Sequence, residues 1–141
     1  MTAPDLMKFA GRWNLTRRID DRLSGGTGTL TGVAEFTSQG DRLLYSETGQ
    51  LRIGDAPPME ATRRYIWQTA VDRIEVLFDD GRPFHFFTAN GQGAGTDHLC
   101  GADLYRVSYD FTAWPEWTAE WTVAGPRKDY IMASRYVLLN T

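Results

Sequence analysis

Apolar and polar residues alternate along nearly the whole chain, with the period of two expected of strands that turn one face to a core. Over residues 12–20 the odd positions Trp13, Leu15, Arg17 and Ile19 share one mainly apolar face, so that face is read as inward and Arg17 as an inward charge. Over 29–37, Gly32, Ala34 and Phe36 alternate with Thr31, Val33 and Glu35, and their small size leaves interior space. Residues 43–51 place Tyr45, Glu47, Gly49 and Leu51 on one side. Residues 60–68 set Arg63, Tyr65 and Trp67 against Thr62, Arg64 and Ile66, and a slip of one position would exchange Arg63 for Arg64. Residues 72–78 alternate through Ile74, Val76 and Phe78, and Asp79-Asp80-Gly81-Arg82 reads as a hairpin turn into 83–88. Residues 98–109 read as one strand, followed by 117–123 and a closing strand over 128–139; residues 3–9 read as a helical turn closing one end. About nine strands with short turns and no crossover helix predict an all-β chain: a single antiparallel up-and-down barrel over residues 1–141, whose closure removes exposed edges.

Composition narrows the function classes. With 141 residues the chain has the size of one domain, and five Trp, six Tyr and seven Phe fill a small barrel well. A formal net charge of −3 argues against a nucleic-acid partner. No apolar run reaches membrane-spanning length and residues 1–9 lack the regions of a signal peptide, so no membrane partner and a cytoplasmic location are expected. One cysteine excludes an internal disulfide. The cations are thirteen Arg against two Lys, Lys8 and Lys128, a bias that base composition or anion binding would each explain. The glycines over 89–95 lack the strand, helix and Lys-Ser/Thr of a phosphate cradle and are read as a loop.

The opening Phe9-x-Gly11-x-Trp13 resembles the Gly-x-Trp start of the calycins, the lipocalin-like barrels. In those proteins an arginine of the last strand stacks on the indole, a role the resemblance assigns to Arg135, with Gly11 and Trp13 as its structural companions. Arg135-Tyr136 also resembles the Arg and Tyr with which fatty-acid-binding proteins hold a ligand carboxylate. Taken whole, the chain resembles an uncharacterised bacterial family of calycin-like domains of unknown function. The residues that carry this are Tyr45-x-Glu47, Tyr65-x-Trp67, Phe78-Asp79-Asp80-Gly81-Arg82-x-Phe84-His85, His98-x-Cys100-x-x-Asp103-x-Tyr105 and Gly125-Pro126-Arg127-Lys128-Asp129-Tyr130. The resemblance implies a barrel and names no substrate.

Polar groups recur on the inward faces, which a purely apolar carrier would not need. His98 and Cys100 are two apart on one strand, and a bulge at Gly101-Ala102 would bring Asp103 and Tyr105 onto the same face. His85 on the preceding strand would join them, and Glu47 with Arg63 would form a compensating pair. Each has a plainer reading: Cys100 as a small buried hydrophobe, His85 as a core hydrogen-bonder, Glu47–Arg63 and Asp103–Arg106 as structural ion pairs. A zinc site built from His85, His98 and Cys100 lacks a ligand pattern, so no metal is expected. The ligand-binding candidates are Glu47, Arg63, Tyr65, Trp67, His85, His98, Cys100, Tyr105 and Lys128, with Phe86 a further ring; Lys128 would place a cation at the mouth.

Three functions compete. The first is a barrel binding a small, partly polar and anionic molecule. The second is an enzyme of the isomerase or dehydratase type, with His85 or His98 as base and Asp103 or Tyr105 as partner. The third is a haem-binding barrel. The identity of any cofactor is not specified by the residues, and a homodimer is compatible with them.

Overall fold

A computed structural model describes residues 4–88, 90, 91, 98–100 and 102–139, and of 98–100 the backbone course alone. Much of the glycine-rich loop at 89–95 lies outside the described residues. A 3-10 turn, Leu6–Phe9, precedes ten strands: β1 Gly11–Asp21, β2 Thr27–Gln39, β3 Arg42–Ile53, β4 Met59–Ala70, β5 Arg73–Phe78, β6 Pro83–Thr88, β7 His98–Cys100, β8 Asp103–Asp110, β9 Trp117–Gly125 and β10 Lys128–Leu138. They form one antiparallel sheet in the order β6-β5-β4-β3-β2-β1-β10-β9-β8-β7, a meander curled into a nearly closed barrel. Among the described residues, no helix is long and apolar enough to cross a membrane.

Inward and outward faces follow the alternation. Trp13, Leu15 and Arg17 of β1, Leu43, Tyr45 and Glu47 of β3, and Met132, Ser134 and Tyr136 of β10 are all buried, while their neighbours along each strand are more exposed. The closed end is a cluster of rings. Phe9, held in the 3-10 turn, touches Phe36, Trp67, Phe111, Trp114 and Trp117. Gly11, at φ +123°, lets the chain swing from that turn into β1, a conformation a side chain would resist. Trp13 then drops into the plug with no exposed surface, its indole N–H donating to the Phe9 carbonyl at 2.8 Å. That bond satisfies the one polar atom the burial would otherwise strand.

Two expectations are corrected here. Arg135 does not cover Trp13. It falls on the outward parity of β10 and pairs with Glu116 on the surface at 2.7 Å, while Trp114 and Trp117 are the rings packed against the indole. Residues 98–109 are not one bulged strand either. The chain reverses so that Cys100 lies opposite Asp103 and His98 opposite Tyr105, as the hairpin β7–β8. Alternation looks the same in a bulged strand and in a tight hairpin, so the pattern cannot separate them.

The register irregularity that matters is elsewhere. Val76 pairs with His85 but Leu77 pairs with Pro83, so Phe84 is the extra residue of a bulge. A bulge breaks strict alternation, and Phe84 and His85, adjacent in sequence, both reach the interior.

Candidate binding cavity

Above the ring plug the barrel encloses a cavity of about 230 Å³. Its wall is largely aromatic: Tyr45, Tyr65, Trp67, Phe78, Phe84, Tyr105, Tyr109, Trp117, Trp121, Tyr130 and Tyr136, with Val76, Ala119 and Met132 between them. Arg17, Glu47, Arg63 and His85 are the charged and imidazole groups among its described lining.

The buried polar centre is built from three strands. From β1, Arg17 sends Nη1 and Nη2 to the two Glu47 carboxylate oxygens at 2.7 and 3.1 Å, and its Nε to Ser134 Oγ on β10 at 2.7 Å. Tyr45, two residues before Glu47 on β3, donates its phenol proton to Glu47 Oε1, and its oxygen lies 2.9 Å from that of Tyr136. The bidentate fork and its extra partners are what a buried ion pair needs to offset desolvation. Burial by itself would raise the Glu47 carboxyl, but the hydrogen bonds and charge of Arg17, with the Tyr45 bond and the more distant Arg63, bring it below its ordinary range. Burial, with Tyr136 and Glu47 beside it, holds the Tyr45 phenol well above its usual value, and burial likewise raises Tyr136, so both phenols keep their protons.

The expected Glu47–Arg63 pair is therefore replaced by Glu47–Arg17. Arg63 is the register partner of Glu47 across β3–β4, yet its Nη2 runs over to Met132 Sδ on β10, 3.8 Å away. Among the described residues no carboxylate stands within ion-pair distance of Arg63. Arg63, and not Arg64, lines the cavity.

The barrel's seam supplies the other wall. No ladder joins β6 to β7 among the described residues; the Tyr109 N–H donates to the Gly91 carbonyl at 2.7 Å, and side chains add further contacts across the gap. His85 Nε2 and the Tyr109 hydroxyl are 2.8 Å apart, and Phe84 stacks on Trp121 with centroids 5.2 Å apart. Burial pushes the Tyr109 phenol well above its usual value, with smaller contributions from Tyr136 and Tyr65. Lys128 Nζ lies 3.2 Å from the Tyr105 hydroxyl and 3.3 Å from Asp103 Oδ2, and these two partners raise its pKa.

The structure thus brings Glu47, Arg63, Tyr65, Trp67, His85 and Tyr105 to one cavity. Lys128 and Asp103 are not part of the described lining; they sit together beside Tyr105, and Asp103 pairs with Lys128 in place of Arg106. The side chains of His98 and Cys100 lie outside the described residues. Phe86 faces away, with the Arg73 guanidinium 4.1 Å over its ring, because it alternates with the inward His85 and Phe87 in the regular part of the β5–β6 ladder. Sequence reasoning passed over Arg17 as a site residue although its inward parity was plain. It also left Tyr109 and Trp121 out of the site, although alternation offers both to one face, and it noted Tyr136 only through the resemblance of Arg135-Tyr136 to fatty-acid-binding proteins. Phe84 had no signal, since a bulge leaves none.

A family model described as "Family of unknown function (DUF6314)" matches residues 9–138. No curated protein matches the chain. Among solved structures, an S-type phycobiliprotein lyase (CPES) from Guillardia theta superposes with a TM-score of 0.60 at 8% identity, over 96% of this chain and 91% of that one. At that identity the likeness is one of fold: a lipocalin-like, nearly closed barrel.

Proposed function

The chain belongs to DUF6314, a family of unknown function, and from that premise we propose that it binds a small, amphipathic, anionic molecule inside the barrel. Arg63 carries this reading. It is a cation set at the cavity, held by the Met132 thioether and the Tyr65 hydroxyl, both uncharged, while the other interior arginine, Arg17, is neutralised by Glu47. A thioether is a weak acceptor, so the guanidinium can turn to an incoming carboxylate, phosphate or enolate at small cost. An anion leaving water needs such a donor already in place. The ring-lined wall takes the flat or apolar remainder. A volume of about 230 Å³ lies below the ~300–1,000 Å³ of drug-sized sites, which favours ligands of one or two rings.

The test is calorimetry with matched pairs, aromatic carboxylates against the corresponding carboxamides. Charge-assisted bonds contribute about 1.5–3 kcal/mol, so the acids should bind at least about tenfold more tightly. Arg63→Met should remove that preference. Equal binding of acid and amide, or an Arg63→Met variant that behaves like the parent, overturns the reading.

A second reading, an enzyme, is supported by His85 and Tyr109, hydrogen-bonded at the cavity wall as an acid–base pair would be. The superposed barrel is itself named a lyase. Mass spectrometry of a bound acid after long incubation separates the two: conversion that His85→Gln abolishes favours catalysis, and unchanged ligand favours binding. The haem expectation draws no support from the cavity: about 230 Å³ is small for a porphyrin, and His85 Nε2 lies 2.8 Å from the Tyr109 hydroxyl.

A further inference from the structure

The geometry points to a ligand that, besides its anionic group, donates a hydrogen bond from an N–H or O–H to the Tyr45–Tyr136 phenol pair. This rests on the binding reading above and specifies what the cavity recognises at its buried end.

The argument is one of counting protons. Glu47, ionised beside Arg17, can only accept. Tyr45 owns a single phenol proton, and its hydroxyl stands on Glu47 Oε1, so that proton is directed to the carboxylate. The Tyr45–Tyr136 contact at 2.9 Å must then be made with the Tyr136 proton, because Tyr45 has none left to give. Both phenol protons run the same way, from Tyr136 to Tyr45 to Glu47. Arg17 also lies beside Tyr136 and donates toward its oxygen. Each phenol oxygen keeps a lone pair, and both tyrosines line the cavity.

A carboxylate placed at this end would meet oxygen lone pairs. An N–H or O–H meets acceptors whose polarity is set by a buried ion pair, and rotating them round would cost Glu47 its phenol donor. The cavity therefore asks for two kinds of group: an acceptor at Arg63 and a donor at the tyrosines. Trp117 stacks on Tyr136 with centroids 3.8 Å apart, which fixes the ring carrying the terminal oxygen. The ligand class is a small aromatic acid with a ring N–H or phenolic O–H.

The experiment compares indole-3-acetate with benzofuran-3-acetate, and 4-hydroxyphenylacetate with 4-fluorophenylacetate, by calorimetry. Each pair keeps the acid and nearly the same shape while removing the donor. The donor-bearing member should bind about tenfold or more tightly, because without it the phenol lone pair that the ligand covers loses water and gains no partner. Tyr136→Phe, which leaves Tyr45, Glu47 and Arg17 in contact, should bring the preference within about threefold, a difference under ~0.7 kcal/mol. Equal affinities within both pairs in the unmodified protein overturn the inference, and so does a preference that survives Tyr136→Phe. If acids outbind amides but donors make no difference, this inference falls and the anion reading stands. If no acid binds, both fall.

Discussion

Arg17 and Glu47 illustrate how a charge is tolerated inside a small barrel. Neither is more than 7% exposed, and each is tied down by the other and by hydroxyls. Removing one partner leaves the other buried and uncompensated, at about 3–5 kcal/mol. Glu47→Gln should therefore be strongly destabilising at pH 7. The pH dependence has a definite sign. Glu47 titrates below its ordinary 4.5 in the folded protein, so its contribution is fully present above 4.5 and is lost as pH falls through the depressed folded value. Denaturant unfolding of the parent and Glu47→Gln from pH 7 to pH 3 should show two curves that converge on the acid side. Parallel curves would mean that Glu47 is not the paired, ionised group described.

At the scale of the element, β2 and β3 carry a pair of glycines directly opposite each other, Gly32 and Gly49. A Cβ on Gly32 would collide with the Thr48 carbonyl oxygen and lie 2.5 Å from Gly49 Cα, and one on Gly49 would lie 2.7 Å from the Thr31 carbonyl oxygen. All three obstacles are backbone, which cannot move aside as a side-chain tip can. The two strands approach there because neither residue has a side chain, and that approach lets long strands bend around the barrel. Gly32→Ala should lower stability by about 1–3 kcal/mol through backbone displacement, although alanine is the better residue in an ordinary strand. A shift in the urea midpoint measures it, and an unchanged midpoint would show that β2 and β3 can separate freely.

Across the whole molecule, nine ladders run from β6 round to β7, and among the described residues the remaining gap is spanned by the Tyr109 N–H to Gly91 carbonyl bond and by side chains. The strands β1, β2 and β10 have ladders on both edges, whereas β6 has one on a single edge among the described residues. Amide exchange should therefore release β6 well before β1 and β2, since opening the seam breaks ring contacts and the His85–Tyr109 bond while leaving the other ladders intact. Mass-spectrometric exchange on proteolytic fragments tests this. Uniform protection of β6 and β1 would show the barrel opening only as a unit. The seam also borders the cavity, so a ligand bridging Phe84 and Trp121 would slow exchange in β6 specifically.

Period-two alternation, by itself, determined the fold class, the meander, and the inward parity of β1, β2 and β3, because a strand's two faces are local consequences of the pleat. It likewise set Glu47, Tyr65 and Trp67 on candidate inward faces and left Arg63 and Arg64 as alternatives, while the calycin resemblance put Trp13 at the closed end. Tertiary structure alone decided the pairings. Arg17 reaches Glu47 from two strands away while the neighbouring Arg63 turns toward Met132, a choice made by the barrel's cross-section and invisible along the chain. Parity set Arg135 outward against an expectation borrowed from resemblance, and only the register of β10 with β1 and β9 made that parity definite. The bulge that inserts Phe84 and the reversal that splits residues 98–109 depend on which carbonyl meets which amide across a gap, information that no run of side chains encodes. Likewise the direction of the phenol protons follows from three groups on β1, β3 and β10 meeting in one buried place, where a carboxylate that can only accept orders every hydrogen around it.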